Sequence, residues 1–292
     1  MNILALFYLC CLCCLHNALG SPINANETLG RTCGNEVTDE EVMAIEEKIR
    51  LDLGKMDGNV TDPSAGRIAS PIHVVWHVIY NTPDTAGGYL ARGTIFNSIN
   101  AMSYHYAGSG FSFTLDRVSY TQNRDWFFNA IDGSPAESAM KRALNVNLKD
   151  TLNVYSINAA SGVLGYATFP WKYSSNPWKD SVVILHSTVP GGGFTNYNQG
   201  KTLTHEVGHW LGLYHVFEGN NCAGNGDFVA DTPPQKDPTM GCPSSKSSCP
   251  GNGGDSIHNY MDYSYDVCMN QFTPGQIYRA RIMAKGYRGI SV

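Results

Sequence analysis

His205 and His209 stand four residues apart, with Glu206 between them, in the string His205-Glu206-Val207-Gly208-His209-Trp210-Leu211-Gly212-Leu213-Tyr214-His215. On a helix that spacing puts both imidazoles on one face, a turn apart, where they can share one zinc ion. Glu206 is rotated about 100° from His205, near enough to take a proton from a water at the metal without ligating it. His215 follows His209 by six residues; on a continuous helix it would lie roughly 240° around and about 9 Å further along. It can join the other two only if the helix stops and the chain turns back. Gly212 stands where that stop is needed, because glycine enters the left-handed conformation at little cost. Three imidazoles leave a fourth position open, the arrangement of a hydrolytic rather than a structural zinc site. Histidine as polar filler is the bland alternative. Five specified positions coincide here, and chance would produce that in on the order of one chain in 10⁴.

A helix over residues 201–213 must present these groups, and something must support it. Residues 72–80 are β-branched and aromatic-rich, a buried strand. Shorter strands are expected over 111–115, 152–157, 165–169 and 182–185. A helix over 94–106 carries Ile95, Ile99, Met102 and Tyr106 on one face. Strands interleaved with helices imply an α+β domain, a mixed twisted sheet with helices packed on it. From His215 to Thr273 the chain is rich in Gly, Pro, Asn, Ser and Cys, which reads as a loop-rich, disulfide-stapled C-terminal subdomain. Thr273-Pro274-Gly275-Gln276 then opens a final helix, with Thr at the cap and Gln at the capping-box position.

The chain has 292 residues, 42% hydrophobic and 15% charged, enough apolar matter for a packed core. A net charge of -5 without a basic stripe argues against nucleic acid as a partner. Residues 3–19 are apolar and end in Ala18-Leu19-Gly20, which predicts a signal peptide over 1–20. Its weak feature is an n-region without Lys or Arg, and a membrane anchor is the alternative. Of nine cysteines, Cys10, Cys11, Cys13 and Cys14 would leave with the signal. Cys33, Cys222, Cys242, Cys249 and Cys268 remain, the last four able to make two disulfides in an oxidising compartment, with three pairings open. Sequons at Asn26 and Asn59 fit glycosylation on the secretory route. The expected product is secreted and extracellular, without membrane contact once the signal is removed. Residues 21–70 are polar and hold one amphipathic helix over 38–53, with Thr38 and Glu41 at its start and Val42, Ile45, Ile49 and Leu53 inward. This stretch reads as a pro-segment, and 71–292 as the catalytic domain.

The histidine string resembles the metzincin clan of zinc metallopeptidases. Asn259-Tyr260-Met261-Asp262-Tyr263, with Cys268-Met269-Asn270-Gln271-Phe272-Thr273, narrows the resemblance to the pappalysin family, especially its single-domain secreted microbial members. The resemblance implies a metzincin-like fold and a zinc endopeptidase. In it zinc lowers the pKa of its water to about 7 and Glu206 acts as general base. It also implies that Met261 lies beneath the metal and that Tyr263 points its hydroxyl at the metal and the oxyanion. The disulfide pairing it implies is Cys222–Cys249 and Cys242–Cys268. Family pro-segments carry a string similar to Arg31-Thr32-Cys33-Gly34, so Cys33 would hold the open zinc position as a cysteine switch until a cut near Gly66-Arg67 releases it. Asp227, Asp231 and Thr232 offer oxygens to calcium, a cofactor of some relatives. Protein or peptide substrates would bind extended, along a sheet edge at 165–169. The rival readings are a catalytically inactive zinc-site protein used for binding or adhesion, and a zinc hydrolase with a downstream Glu as third ligand.

Overall fold

In the computed structural model, residues 31–35, 38–56, 70–158, 162–251 and 253–292 are described. The apolar run 3–19, Asn26, Asn59 and Gly66-Arg67 fall outside them. The elements are α1 (Asp39–Met56), β1 (Ile72–Tyr80), α2 (Arg92–His105), β2 (Phe113–Gln122), α3 (Arg124–Asn129), α4 (Pro135–Leu144), β3 (Thr151–Ile157), β4 (Gly165–Ala167), β5 (Val182–Leu185), α5 (Lys201–Trp210) and α6 (Pro274–Met283).

The strands form one five-stranded sheet in the order β2-β1-β3-β5-β4. β1 pairs in parallel with both β2 and β3, β3 pairs in parallel with β5, and β4 alone runs antiparallel, beside β5 at an edge. The alternation of strand side chains separates two cores. Val74, Trp76 and Val78 of β1, with Val182 and Ile184 of β5, pack toward α2 and α5 through Ile95, Ile99, Leu203 and Val207. Ile79, Tyr155, Ile157 and Val183 face the other way, onto Phe127 of α3 and Ala136 and Met140 of α4. The central strands are covered on both faces and mostly apolar, and the polar groups buried in them find partners, His77 with Ser119 and Asn153, and Ser156 with the Trp76 indole.

The structure corrects three boundaries and adds two helices. β2 begins at Phe113 and runs on to Gln122: beyond Asp116-Arg117, where the register to β1 shifts, Val118 and Tyr120 alternate with Ser119 and Thr121 and lean on the core. β4 ends at Ala167, because Pro170 follows and turns the chain. Helices α3 and α4 were not expected from the sequence. α4 carried a readable start, since Ser134 accepts from Glu137 N and Pro135 sits at the first position; its short apolar face masked it. α5 stops at Trp210 rather than 213.

That stop is a Schellman turn: Leu213 N donates to Gly208 O (2.9 Å) and Gly212 N to His209 O (2.9 Å), with Gly212 at φ 94°. Two buried ties then hold the end of the helix. Arg288 donates to Trp210 O (3.0 Å), lies over its ring (3.6 Å) and pairs with Asp180 (2.8 Å), which accepts from the Trp210 indole (3.1 Å). Arg279 of α6 donates to Gly212 O (2.9 Å). Cys222 is bonded to Cys249 and Cys242 to Cys268, stapling the loop region that follows.

Candidate metal centre and substrate cleft

The reversal at Gly212 carries His215 back to the two helix histidines. His209 Nε2 lies 3.2 Å from His205 Nε2 and 3.1 Å from His215 Nε2. The outer nitrogens are engaged elsewhere: His205 Nδ1 donates to Tyr260 O (2.7 Å) and His209 Nδ1 to Leu213 O (2.8 Å). A carbonyl can only accept, so both Nε2 atoms are left as lone-pair donors toward the common centre. Burial holds the imidazoles in the neutral form, His209 down to about 4 and His205 and His215 well below the usual range. Neutral imidazole is the ligand form, so the donor set fits zinc.

Cys33 completes the cluster. Its sulfur and one nitrogen from each histidine lie within 4.8 Å of one another, the one such convergence of His, Cys, Asp or Glu among the described residues. The sulfur is also 3.4 Å from Glu206 Oε2, and Cys33 N donates to Tyr263 Oη (3.0 Å). Tyr263 Oη lies 3.4 Å from His215 Nε2. Burial, then the charge of Glu206, pushes the Cys33 thiol well above its ordinary value, and burial lifts Glu206 to about 8. A cation among these groups opposes both shifts, because it favours thiolate and carboxylate.

Met261 lies under α5, where Gly208 makes room: a Cβ at Gly208 would overlap its sulfur. Gly165 plays the same part above, since a Cβ there would come within 2.7 Å of Glu206 Oε1. Neither glycine stood out in the sequence, because what it avoids comes from distant chain. Asp262 fixes the Met261 turn, with Oδ1 accepting from Thr239 N (2.9 Å) and Tyr263 N (2.8 Å) and Oδ2 from Gln235 (3.1 Å).

The edge strand β4 is occupied by the N-terminal segment. Leu164 N donates to Thr32 O (2.9 Å), Gly34 N donates to Gly165 O (3.0 Å), and Cys33 bridges Gly165 in parallel. The Asn35 side chain continues the ladder, accepting from Ala167 N (2.8 Å) and donating to Ala167 O (3.0 Å). Arg31 was not singled out in the sequence as a pocket residue, yet it is buried. Its guanidinium meets Asp266 Oδ1 at 2.5 Å and lies 5.4 Å from the Tyr197 ring centre, while its N–H donates to Tyr197 Oη (3.0 Å). Asp266 Oδ2 accepts from Gln199 N (2.8 Å) just before α5, so the pocket is built onto the active-site helix.

The oxygens expected for calcium are engaged among themselves and with α6. Asp227 Oδ1 accepts from Thr232 Oγ (2.6 Å), and Asp231 accepts from Thr273 Oγ (2.7 Å) and Gly275 N (2.9 Å). Only Asp227 Oδ2 among them is buried without a partner.

Residues 137–285 match the model of the peptidase family described as Pregnancy-associated plasma protein-A. The chain belongs to this family. This pappalysin is 45% identical over 228 residues to an extracellular metalloprotease of Sordaria macrospora, covering 77% of this chain and 78% of that one. Extracellular metalloprotease 1 of Coccidioides posadasii is 42% identical over 277 residues, covering 93% and 95%. Among solved structures, a promirolysin mutant of Tannerella forsythia superposes with TM-score 0.69 at 29% identity, covering 88% of this chain and 95% of its own. Mature mirolysin in complex with a cleaved peptide gives 0.64 at 28%, covering 77% and 99%. The pappalysin is thus a metalloendopeptidase with a metzincin fold, and the family implies zinc at the histidine cluster. Its relatives are named extracellular, and no helix among the described residues is long and apolar enough to cross a membrane.

Proposed function

We propose that this pappalysin is made as a secreted zymogen whose pro-segment, residues 21–70, blocks the cleft through residues 31–35, and that removal of the pro-segment yields an endopeptidase using Glu206 as general base. The supporting observation is the course of residues 32–35: they lie along β4, where an extended peptide would bind, and bring the Cys33 sulfur to the three histidines. The promirolysin match covers more of this chain than the mature mirolysin match, which fits an N-terminal part that is later lost.

His205, His209 and His215 would hold zinc, which supplies a Lewis acid and an activated water. Glu206, beside the position taken by the Cys33 sulfur, accepts the proton as the peptide carbonyl is attacked and returns it to the leaving amine. The Tyr263 hydroxyl, now a hydrogen-bond acceptor for Cys33 N, turns to donate to the developing oxyanion. A substrate strand takes over the hydrogen bonds of Leu164, Gly165 and Ala167. Arg31 shows which side chain suits the adjoining pocket: a cation that can reach Asp266, so cleavage should favour peptides with Arg or Lys beside the cut bond.

The test is digestion of a peptide library by the processed enzyme, with and without a zinc chelator. Cleavage should depend on the metal and concentrate at Arg and Lys. An intact library would favour the inactive binding or adhesion reading; chelator-resistant cleavage would remove zinc from the mechanism.

A further inference from the structure

We propose that the face beneath α1 is a docking surface for acidic amphipathic helices of substrate proteins, uncovered when the N-terminal segment is cut away. This rests on the zymogen reading above.

α1 covers the enzyme with a stripe at helical spacing: Val42 and Ile49 are 4% exposed, and Ile45 and Glu46 between them are half-buried. Val42 packs with Phe169 and Tyr214, and Trp171 and Phe228 lean on that cluster. Phe169 and Trp171 stack with ring centres 4.5 Å apart, and the buried Trp171 indole nitrogen has no hydrogen-bond partner. The helix is also held by charge. Glu46 forks onto Arg279, with oxygens 2.6 and 3.1 Å from its two terminal nitrogens, and that guanidinium lies 4.9 Å from the Tyr214 ring centre. A second cation borders the same rings, Lys172 Nζ lying 5.9 Å from the Phe169 ring centre.

Loss of α1 would therefore bare an aromatic ledge flanked by two cations, a surface that water solvates poorly and that selects an apolar stripe bordered by carboxylates. The ledge is continuous with the cleft. Phe169 lies two residues past Ala167, where Asn35 is bound, and α1 starts four residues after Asn35. The N-terminal segment runs parallel to β4. A substrate pairing antiparallel to β4 would send the part preceding the cut bond onto this ledge. The occupant would enter with its direction reversed relative to α1, so the apolar stripe and the acids matter rather than the order of residues.

The experiment uses the full chain after limited proteolysis and removal of the freed N-terminal segment. Two peptides share one cleavable sequence; one also carries, upstream by a four-residue spacer, a designed helix with Ile at i, i+3 and i+7 and Glu at i−1 and i+4, the places of Glu41 and Glu46 relative to Val42. The helical substrate should show a KM lower by about tenfold with similar kcat. Trp171→Ala should remove that advantage while the short peptide is cut as before. Lys172→Glu should weaken it, and Lys in place of the substrate Glu at i−1 should restore it. A peptide of residues 38–51 should compete with the helical substrate alone. Equal KM values, equal loss on both substrates in the variants, or equal inhibition of both by the 38–51 peptide would each overturn the docking surface. Failure to cut even the short peptide would instead overturn the endopeptidase reading.

Discussion

Glu206 and Asp227 are both buried carboxylates raised by burial, Glu206 to about 8 and Asp227 to about 7, but they stand in different chemistry. Glu206 faces Cys33 and the histidines proposed to hold the metal, and its replacement spares all of them. Glu206→Gln should fold and bind zinc normally yet lose at least about 10³-fold in kcat, read from turnover of a short peptide together with metal content. Near-normal turnover would break the base assignment. Asp227 is remote from that chemistry and its raised value is a stability matter. Unfolded, it ionises near 3.8; folded, only near 7, so the fold favours the protonated form. Its contribution is fully present below about pH 4, is lost as pH rises toward 7, and stays flat above. Asp227→Asn, which cannot ionise, should match the parent Tm at pH 4 and exceed it by a growing margin up to pH 7. A calcium ion on Asp227 Oδ2 would reverse the result, making the variant less stable at pH 8 in calcium.

The helix α5 is useful because of where it ends. Gly212 combines a left-handed φ with a close neighbour, since a Cβ would come within 2.7 Å of Met283 Cγ. Gly212→Ala should cost about 2–5 kcal/mol, summing left-handed strain and overpacking. The loss should show in urea denaturation and as weaker zinc retention, because His215 hangs from that turn. Parental zinc affinity would argue that the turn does not set the third ligand. The Asp180–Arg288 pair anchors the same helix end from the opposite side. Asp180→Ala would strand a buried guanidinium and should destabilise by about 3–5 kcal/mol.

At the scale of the molecule, the N-terminal segment is tied to the rest of the chain by Arg31 on Asp266, Cys33 at the histidines and Glu46 on Arg279, besides its hydrogen bonds along β4 and the packing of Val42. Cys33→Ser removes the sulfur but leaves both ion pairs. The unprocessed variant should therefore be more active than the unprocessed parent while cleaving less than the mature enzyme; equal activity of variant and parent would remove the switch. The two disulfides join residues 27 and 26 positions apart, Cys222–Cys249 ahead of the Met261 turn and Cys242–Cys268 around it. Opening either should cost about 2–4 kcal/mol, chiefly through the freedom returned to the unfolded chain, and should lower Tm under reductant.

How much of this was legible follows from the range of each interaction. The histidine string, its helix, the stop at Gly212 and the Thr273 cap are local, so periodicity and residue type were enough to expect them. The convergence of the histidines needed one further condition, a chain reversal, and a single glycine announced it. What the letters could not carry was proximity across the chain. Arg31 and Asp266 are 235 positions apart, and Gly208 means little until Met261 is known to lie against it. Helices α3 and α4 were missed because a short helix owes its stability to the sheet it covers rather than to its own pattern. By itself the sequence determined the peptidase family and the class of fold. Only the tertiary structure decided what fills the cleft and its pocket, because those contacts join segments that no local spacing relates.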